Sequence, residues 1–224
     1  MKSYLKPILA LSILGNTLYA ELVVTHFDQG QVKARTHYID GSITARKNGI
    51  KNGLEEAFYA MGSIVYKVNY VKGKKNGVMT WYDKKGNILS TIPYKMGKRV
   101  GIQKSYFSSG KLKHSVNYVD DKKEGLEKEF YENTQLATIV PYIHGKKEGV
   151  QKEYTIDGKL NSEVFYKNNY KEGYQKWYDK DGNMIHKTFF KMDRPINIMK
   201  KIENSNQPSE IKIKNIDFSQ QRAR

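Results

Sequence analysis

The side chains that could do chemistry in this sequence are many and dispersed. Five histidines occur, His26, His37, His114, His144 and His186. A metal needs several such ligands converging on one point. His114 and His186 share one slot of a sequence period but lie three periods apart. Strand spacing holds them roughly 29 Å from each other, too far for one ion. Cysteine is absent, which removes disulfides, thiolate nucleophiles and Cys-based zinc sites. The carboxylates fall in turns (Asp120-Asp121, Asp179, Asp181) or beside connector lysines (Glu124, Glu148, Glu172), where local bonding neutralises them. Acid–base catalysis needs them gathered in one cleft. Ser108-Ser109-Gly110 reads as a turn and not as a nucleophile elbow. The recurring Gly-Lys-Lys-x-Gly is shorter than a phosphate-binding loop and has no helix after it. These residues point to no catalytic site, no metal and no cofactor, and so to a protein that is not an enzyme.

Binding chemistry is better represented. Lys104, Lys128, Lys152 and Lys176 recur at a constant interval. The connector residues Lys74-Lys75, Lys98-Arg99, Lys122-Lys123, Lys146-Lys147 and Lys171 repeat the same interval. Neighbours spaced about 10 Å apart lie near the screening length of about 8 Å, so they form a comb for evenly spaced anions. The plainer role is solubility, with lysine stems lying over rings. A second column is aromatic: Tyr82, Tyr106, Phe130, Tyr154 and Tyr178. Its rings pack on one another as a core, and any groove left between them would take a ligand. Trp81 and Trp177 interrupt a polar set and add two candidate contacts.

A period positions all of these groups. Gly53, Gly77, Gly101, Gly125, Gly149 and Gly173 are spaced by 24 residues without an insertion. In register with them run Phe58 to Tyr178, a turn column Gly62, Gly86, Gly110, Gly158 and Gly182 with Thr134 as the exception, and Ile64 to Met184. Tyr70, Tyr94, Tyr118, Tyr142, Tyr166 and Phe190 complete the set. Each unit has the length of a two-stranded hairpin with its connection. Turns such as Asp83-Lys84-Lys85-Gly86-Asn87 carry a glycine able to take positive φ. No window shows helical periodicity, and β-branched and aromatic residues fill the segments. The fold class is therefore all-β: an elongated single-layer antiparallel sheet of six stacked hairpins over residues 53–197. Apolar columns fall at odd positions after the leading glycine, and alternation along a strand predicts that they share one face.

The ends differ from the middle. Lys2 and Lys6, the apolar Pro7–Gly15 and Leu18-Tyr19-Ala20 read as a signal peptide over residues 1–20, cleaved before Glu21. That predicts an exported protein, periplasmic or secreted, with no transmembrane helix in the mature chain. Residues 21–52 form a degenerate capping hairpin, and 198–224 a C-terminal cap and frayed tail with a last strand over Glu210–Phe218. The net charge of +16 attracts polyanions. For an exported chain these are anionic lipid, cell-surface polymer or an acidic protein, and not nucleic acid.

The pattern G-x4-[YF]-x3-G-x-[IL]-x5-[YF]-x2-G-K-[KR]-x-G resembles the MORN repeat, in its bacterial variant often labelled as a toxin–antitoxin antitoxin. The resemblance covers residues 50–197 clearly and 21–49 weakly. It implies a sheet of hairpins acting as a scaffold or binding surface. The expected function is an exported scaffold that binds a protein or an anionic envelope component through its aromatic and basic ribbon. A second copy of the chain could cover the apolar face. The alternative, an antitoxin or immunity-like protein that sequesters a toxin, is implied by the resemblance alone.

Overall fold

The computed structural model describes residues 20–39, 49–197 and 214–215. The residues read as a leader before Ala20, the expected Asp40-Gly41 turn and most of the expected C-terminal cap lie outside the described residues. Of the strand expected over Glu210–Phe218, only Lys214–Asn215 is described, and it is extended. No helix occurs among the described residues.

The chain divides into two units, Met1–Lys122 and Lys123–Arg224. The first contains β1 (Ala20–His26), β2 (Val32–Ile39), β3 (Ile50–Phe58), β4 (Ile64–Val71), β5 (Lys74–Lys75), β6 (Gly77–Tyr82), β7 (Ile88–Lys95), β8 (Lys98–Arg99), β9 (Gly101–Tyr106) and β10 (Leu112–Val119). The two-residue β11 (Lys122–Lys123) falls at the division. The second contains β12 (Gly125–Phe130), β13 (Leu136–Ile143), β14 (Lys146–Lys147), β15 (Gly149–Tyr154), β16 (Leu160–Lys167), β17 (Tyr170–Tyr178), β18 (Met184–Lys191), β19 (Arg194–Asn197) and β20 (Lys214–Asn215). Within each unit the strands pair antiparallel with their neighbours, and each unit is an open sheet of consecutive hairpins.

Two kinds of turn generate this order. The first closes each hairpin: Asp83 N–H donates to Asn87 O at 2.9 Å, and Gly86 N–H donates back to Asp83 O at 3.1 Å. Gly86 has φ 89°. Thr134 occupies the same place at φ 74°, a conformation that a β-branched residue resists. The second turn joins one repeat to the next through two residues that both have positive φ, the type I′ geometry that suits twisted strands. These pairs are Lys72-Gly73, Met96-Gly97 and Asp120-Asp121 in the first unit. In the second they are His144-Gly145, Asn168-Asn169 and Met192-Asp193. The second residue of each pair donates its N–H to a carbonyl of the preceding connector, as from Gly73 to Lys51 O at 2.7 Å and from Gly145 to Lys123 O at 2.8 Å.

Hairpin register overturns the expectation of a single apolar face. Gly77 faces Tyr94, Met79 faces Ile92 and Trp81 faces Ser90. Counted from the leading glycine, the facing positions sum to seventeen from the glycine to the bulge, so an odd position there meets an even one; beyond the bulge Tyr82 faces Ile88. Residues directly opposite share a face of the sheet. The odd positions of the first strand therefore lie on the face opposite to the odd positions of the second. The apolar columns are split between both faces. One face holds the valines Val68 and Val116 in the first unit and Val140 and Val164 in the second, all buried. Burying each such side chain contributes about 1.5–3 kcal/mol. The other face carries the Lys104–Lys176 column and leaves the residue just after each leading glycine outside.

Candidate functional site

The face with the buried valines is closed by cations lying over rings. In the first unit Lys51 sits 4.9 Å from the centre of Tyr70, Lys75 5.0 Å from Tyr94, and Arg99 4.0 Å from Tyr118. In the second, Lys123 and Lys147 each lie 4.7 Å from Tyr142 and Tyr166, and Lys171 lies 4.9 Å from Phe190. Each cation stands two residues before a leading glycine, and most reach on to the residue four later. Lys51 Nζ pairs with Glu55 Oε1 at 2.6 Å. Lys123 pairs with Glu127. Lys147 and Lys171 donate to Gln151 Oε1 and Gln175 Oε1 at 3.2 and 2.9 Å. Burial and the Glu55 carboxylate push the phenols of Tyr66 and Tyr70 up, and burial with Glu127 does the same for Tyr142. Glu55 Oε2 is buried and has no hydrogen-bond partner.

These stacks qualify the expected basic comb. The second member of each connector pair is spent on a ring, and only the first (Lys74, Lys98, Lys122, Lys146) points outward. The connector acids also have a structural task that the sequence hid. Glu124, Glu148 and Glu172 accept the first N–H of the next type I′ turn, from His144, Asn168 and Met192, at 2.8, 2.7 and 3.2 Å. Asn52 and Asn76 do the same in the first unit.

Trp81 and Trp177 lie on this closed face. Trp81 packs at 4.9 Å on Tyr66 and Trp177 at 5.0 Å on His186. Both belong to rows of facing residues, Tyr66 with Trp81 and Ser162 with Trp177, and are half-buried. In the second unit the same face has a hollow of about 280 Å³ lined by Glu127, Glu129, Thr138, Val140, Lys147, Gln151 and Glu153. Two of its three carboxylates are engaged: Glu127 by Lys123, and Glu153 by Gln151 Nε2 at 3.1 Å and Ser162 Oγ at 3.0 Å. This hollow gathers no acid–base pair.

The opposite, open face of each unit carries the remaining sequence candidates that fall in it. Alternation along β6, β9, β12, β15 and β17 puts Tyr82, Tyr106, Phe130, Tyr154 and Tyr178 on it, all half-buried. Lys104, Lys128, Lys152 and Lys176 stand two residues before four of them on the same face. Lys104 is exposed. Lys176 is held by Glu163 at 3.0 Å, and Tyr178 donates to the same carboxylate at 2.8 Å. The Lys176 bond keeps the Glu163 carboxyl below its ordinary range. In the first unit, Arg35 and Lys67 lie over Phe58 and Tyr82.

Sequence reasoning missed one further row. Leu54, Val78 and Ile102 in the first unit, and Leu126, Val150 and Tyr174 in the second, each follow a leading glycine and are between 39% and 55% exposed. Their column was read as sharing one face with the other apolar columns. Register puts them on the open face, beside the lysines.

A sheet of identical hairpins with two patterned faces and no catalytic cluster among the described residues defines a repeat scaffold. The MORN repeat variant family matches residues 75–96, 99–120, 123–144, 147–168 and 171–192, so these five segments are similar to its repeat. The hairpin at 51–72 repeats their turn and cation stack outside those matches. A comparison with curated proteins gives no match. Among solved structures, a mutant of S. aureus TarM in complex with fondaparinux, alpha-GlcNAc-glycerol and UDP aligns at 12% identity and TM-score 0.30 over 43% of this chain. A second TarM structure aligns at 15% identity and TM-score 0.29 over 42%. The alignments take in 19% and 20% of those chains, about a fifth of their length.

Proposed function

We propose that the protein is an exported binding scaffold whose open face holds a partner, either a protein or an anionic envelope component. The observation that carries this is the exposed apolar row after the leading glycines, in register with the Lys104–Lys176 column. Isolated exposed apolar residues are ordinary, but a contiguous row rimmed by polar groups marks an interaction surface. Export rests on the leader-like residues 1–20, and N-terminal sequencing of the mature protein tests it. The binding reading is tested by capturing envelope and extracellular material on the tagged chain and eluting with rising salt. One protein retained at high salt supports an apolar contact, and a single tight toxin-like partner would favour the immunity role. Broad retention of acidic lipid or polymer that moderate salt removes supports the lysines instead. Capture that is unchanged in a Leu126→Ser, Val150→Ser variant sinks the open face as the site.

A further inference from the structure

On the open face of the second unit, both strands of every hairpin contribute to one apolar row. Leu126 faces Pro141, Val150 faces Phe165, and Tyr174 faces Phe189. Leu126, Val150, Phe165 and Tyr174 are 49%, 41%, 39% and 40% exposed. Tyr174 and Phe189 meet edge to face at 5.1 Å. The row crosses the strands, so an apolar side chain arrives every 4.8 Å or so. Five such steps, from Leu126 to Phe189, span about 24 Å.

That spacing selects the conformation of an occupant. The apolar stripe of an amphipathic helix repeats every three to four residues, about 5.4 Å per turn. An extended strand laid along the row presents one face every second residue, about 6.7 Å, and drifts out of step at once. A polyproline helix returns to the same face every 9.3 Å or so, which fills only alternate sites. Charge selects the occupant's flanks. Lys128, Lys152, Lys176 and Lys187 border the row on one side, against the single carboxylate Glu163. Alternation along β16 and β18 puts Lys167 and Lys191, both exposed, on the other side, where Glu172 directly faces Lys191 and offsets its charge. This lysine border also disfavours a second copy of the same face by like-charge repulsion.

We infer that this row is the seat of an amphipathic helix from a protein partner, roughly 16 residues long, with a heptad apolar stripe and acidic residues along the edge that meets Lys128, Lys152, Lys176 and Lys187. The inference rests on the scaffold reading and names its partner. The test is fluorescence anisotropy with the full chain and three labelled peptides. One carries Leu at heptad positions flanked by Glu, one has the same composition in strict alternation, and one replaces each Glu by Lys. The heptad acidic peptide is expected to bind at least about tenfold more tightly than the others. Phe165→Ser with Tyr174→Ser should weaken it by a similar factor, while Met61→Ser, in an exposed hairpin turn of the first unit, leaves it unchanged. Lys128→Glu with Lys152→Glu should reverse the preference toward the Lys-flanked peptide, a gain that no unfolded variant could show. Equal binding of the alternating peptide overturns the helix. So does a preference for phosphatidylserine vesicles, or self-association that Phe165→Ser abolishes. A captured protein that needs Leu126 and Val150, with no response to the heptad peptide, removes the helix and keeps the scaffold. Loss of both removes both.

Discussion

The two units use the same hairpins to present different surfaces. In the first, the open-face row reads Leu54 with Asn69, Val78 with Pro93 and Ile102 with Asn117, so polar residues interrupt it twice. In the second, every pair is apolar. The basic column differs likewise. Glu56, Thr80 and Lys104 hold in the first unit the places that Lys128, Lys152 and Lys176 hold in the second. Glu56 there is paired with Arg35 at 3.7 Å. Behind these differences the closed faces are nearly alike, with buried valines and cations on rings in both units. The scaffold fixes one face and leaves the other free to vary, so specificity belongs to the free one.

Substitutions on the closed face can break that comparison. The largest effect is expected at the residue four after the connector cation, which is Glu55 in the first unit and Gln151 in the second. Lys51→Met strands the buried Glu55 carboxylate and should cost about 3 kcal/mol in urea denaturation. Lys147→Met leaves a neutral amide and should cost less than about 1 kcal/mol. Equal losses would mean that Glu55 is not held as a charge. Next, Val116→Ala and Val164→Ala should each cost about 2 kcal/mol, the same in both units, without altering the open-face partner's affinity. A loss of binding with Val164→Ala alone would show that the two faces are not independent. Smaller still, Thr134→Gly should stabilise the second unit by about 1 kcal/mol by relieving its positive φ. The reverse change, Gly86→Thr, should cost the first unit a similar amount.

The smallest effect is a response to alkali. The phenols of Tyr66, Tyr70, Tyr142 and Tyr166 are raised by burial, so the fold favours their neutral forms. Their contribution to stability is complete below the unfolded value near 10 and is lost as pH rises through the folded values. Absorbance titration should find these four ionising after the exposed tyrosines. Tyr70→Phe should reduce the alkaline loss more than Tyr166→Phe, because the Tyr70 phenol is raised further, by burial first and then by the Glu55 charge.

Most of the fold was legible because each repeat writes its own turns. The Gly column and the Gly-Lys-Lys-x-Gly connectors named the two turns, and Thr134 was visible as the exception. The facing of side chains was not reached, because alternation was followed along each strand and not across the hairpin. The information was present: a five-residue turn with a bulge between Trp81 and Tyr82 fixes a register whose facing positions sum to an odd number. That step would have separated Val78 and Leu126 from the buried valines and set Trp81 and Trp177 on the closed face. The roles of Glu124 and Glu148 were less accessible. Their partners are backbone N–H groups 20 residues away, and side-chain pattern does not report backbone donors.

The bonds that tie each repeat to the next span only 20 to 23 residues. A chain whose contacts are this local has little loop entropy to lose before each new hairpin is rewarded. Folding should start at any repeat and spread by zippering, with the population of partly zipped chains set by the weakest junction. At Val100 no side chain can accept the turn's N–H, which leaves the reverse bond: Asp121 accepts from Arg99 N and Nε, both at 3.0 Å, as Asn169 and Asp193 accept from Lys147 and Lys171 N at 2.7 Å. That junction is where a zipper propagating from either side should pause.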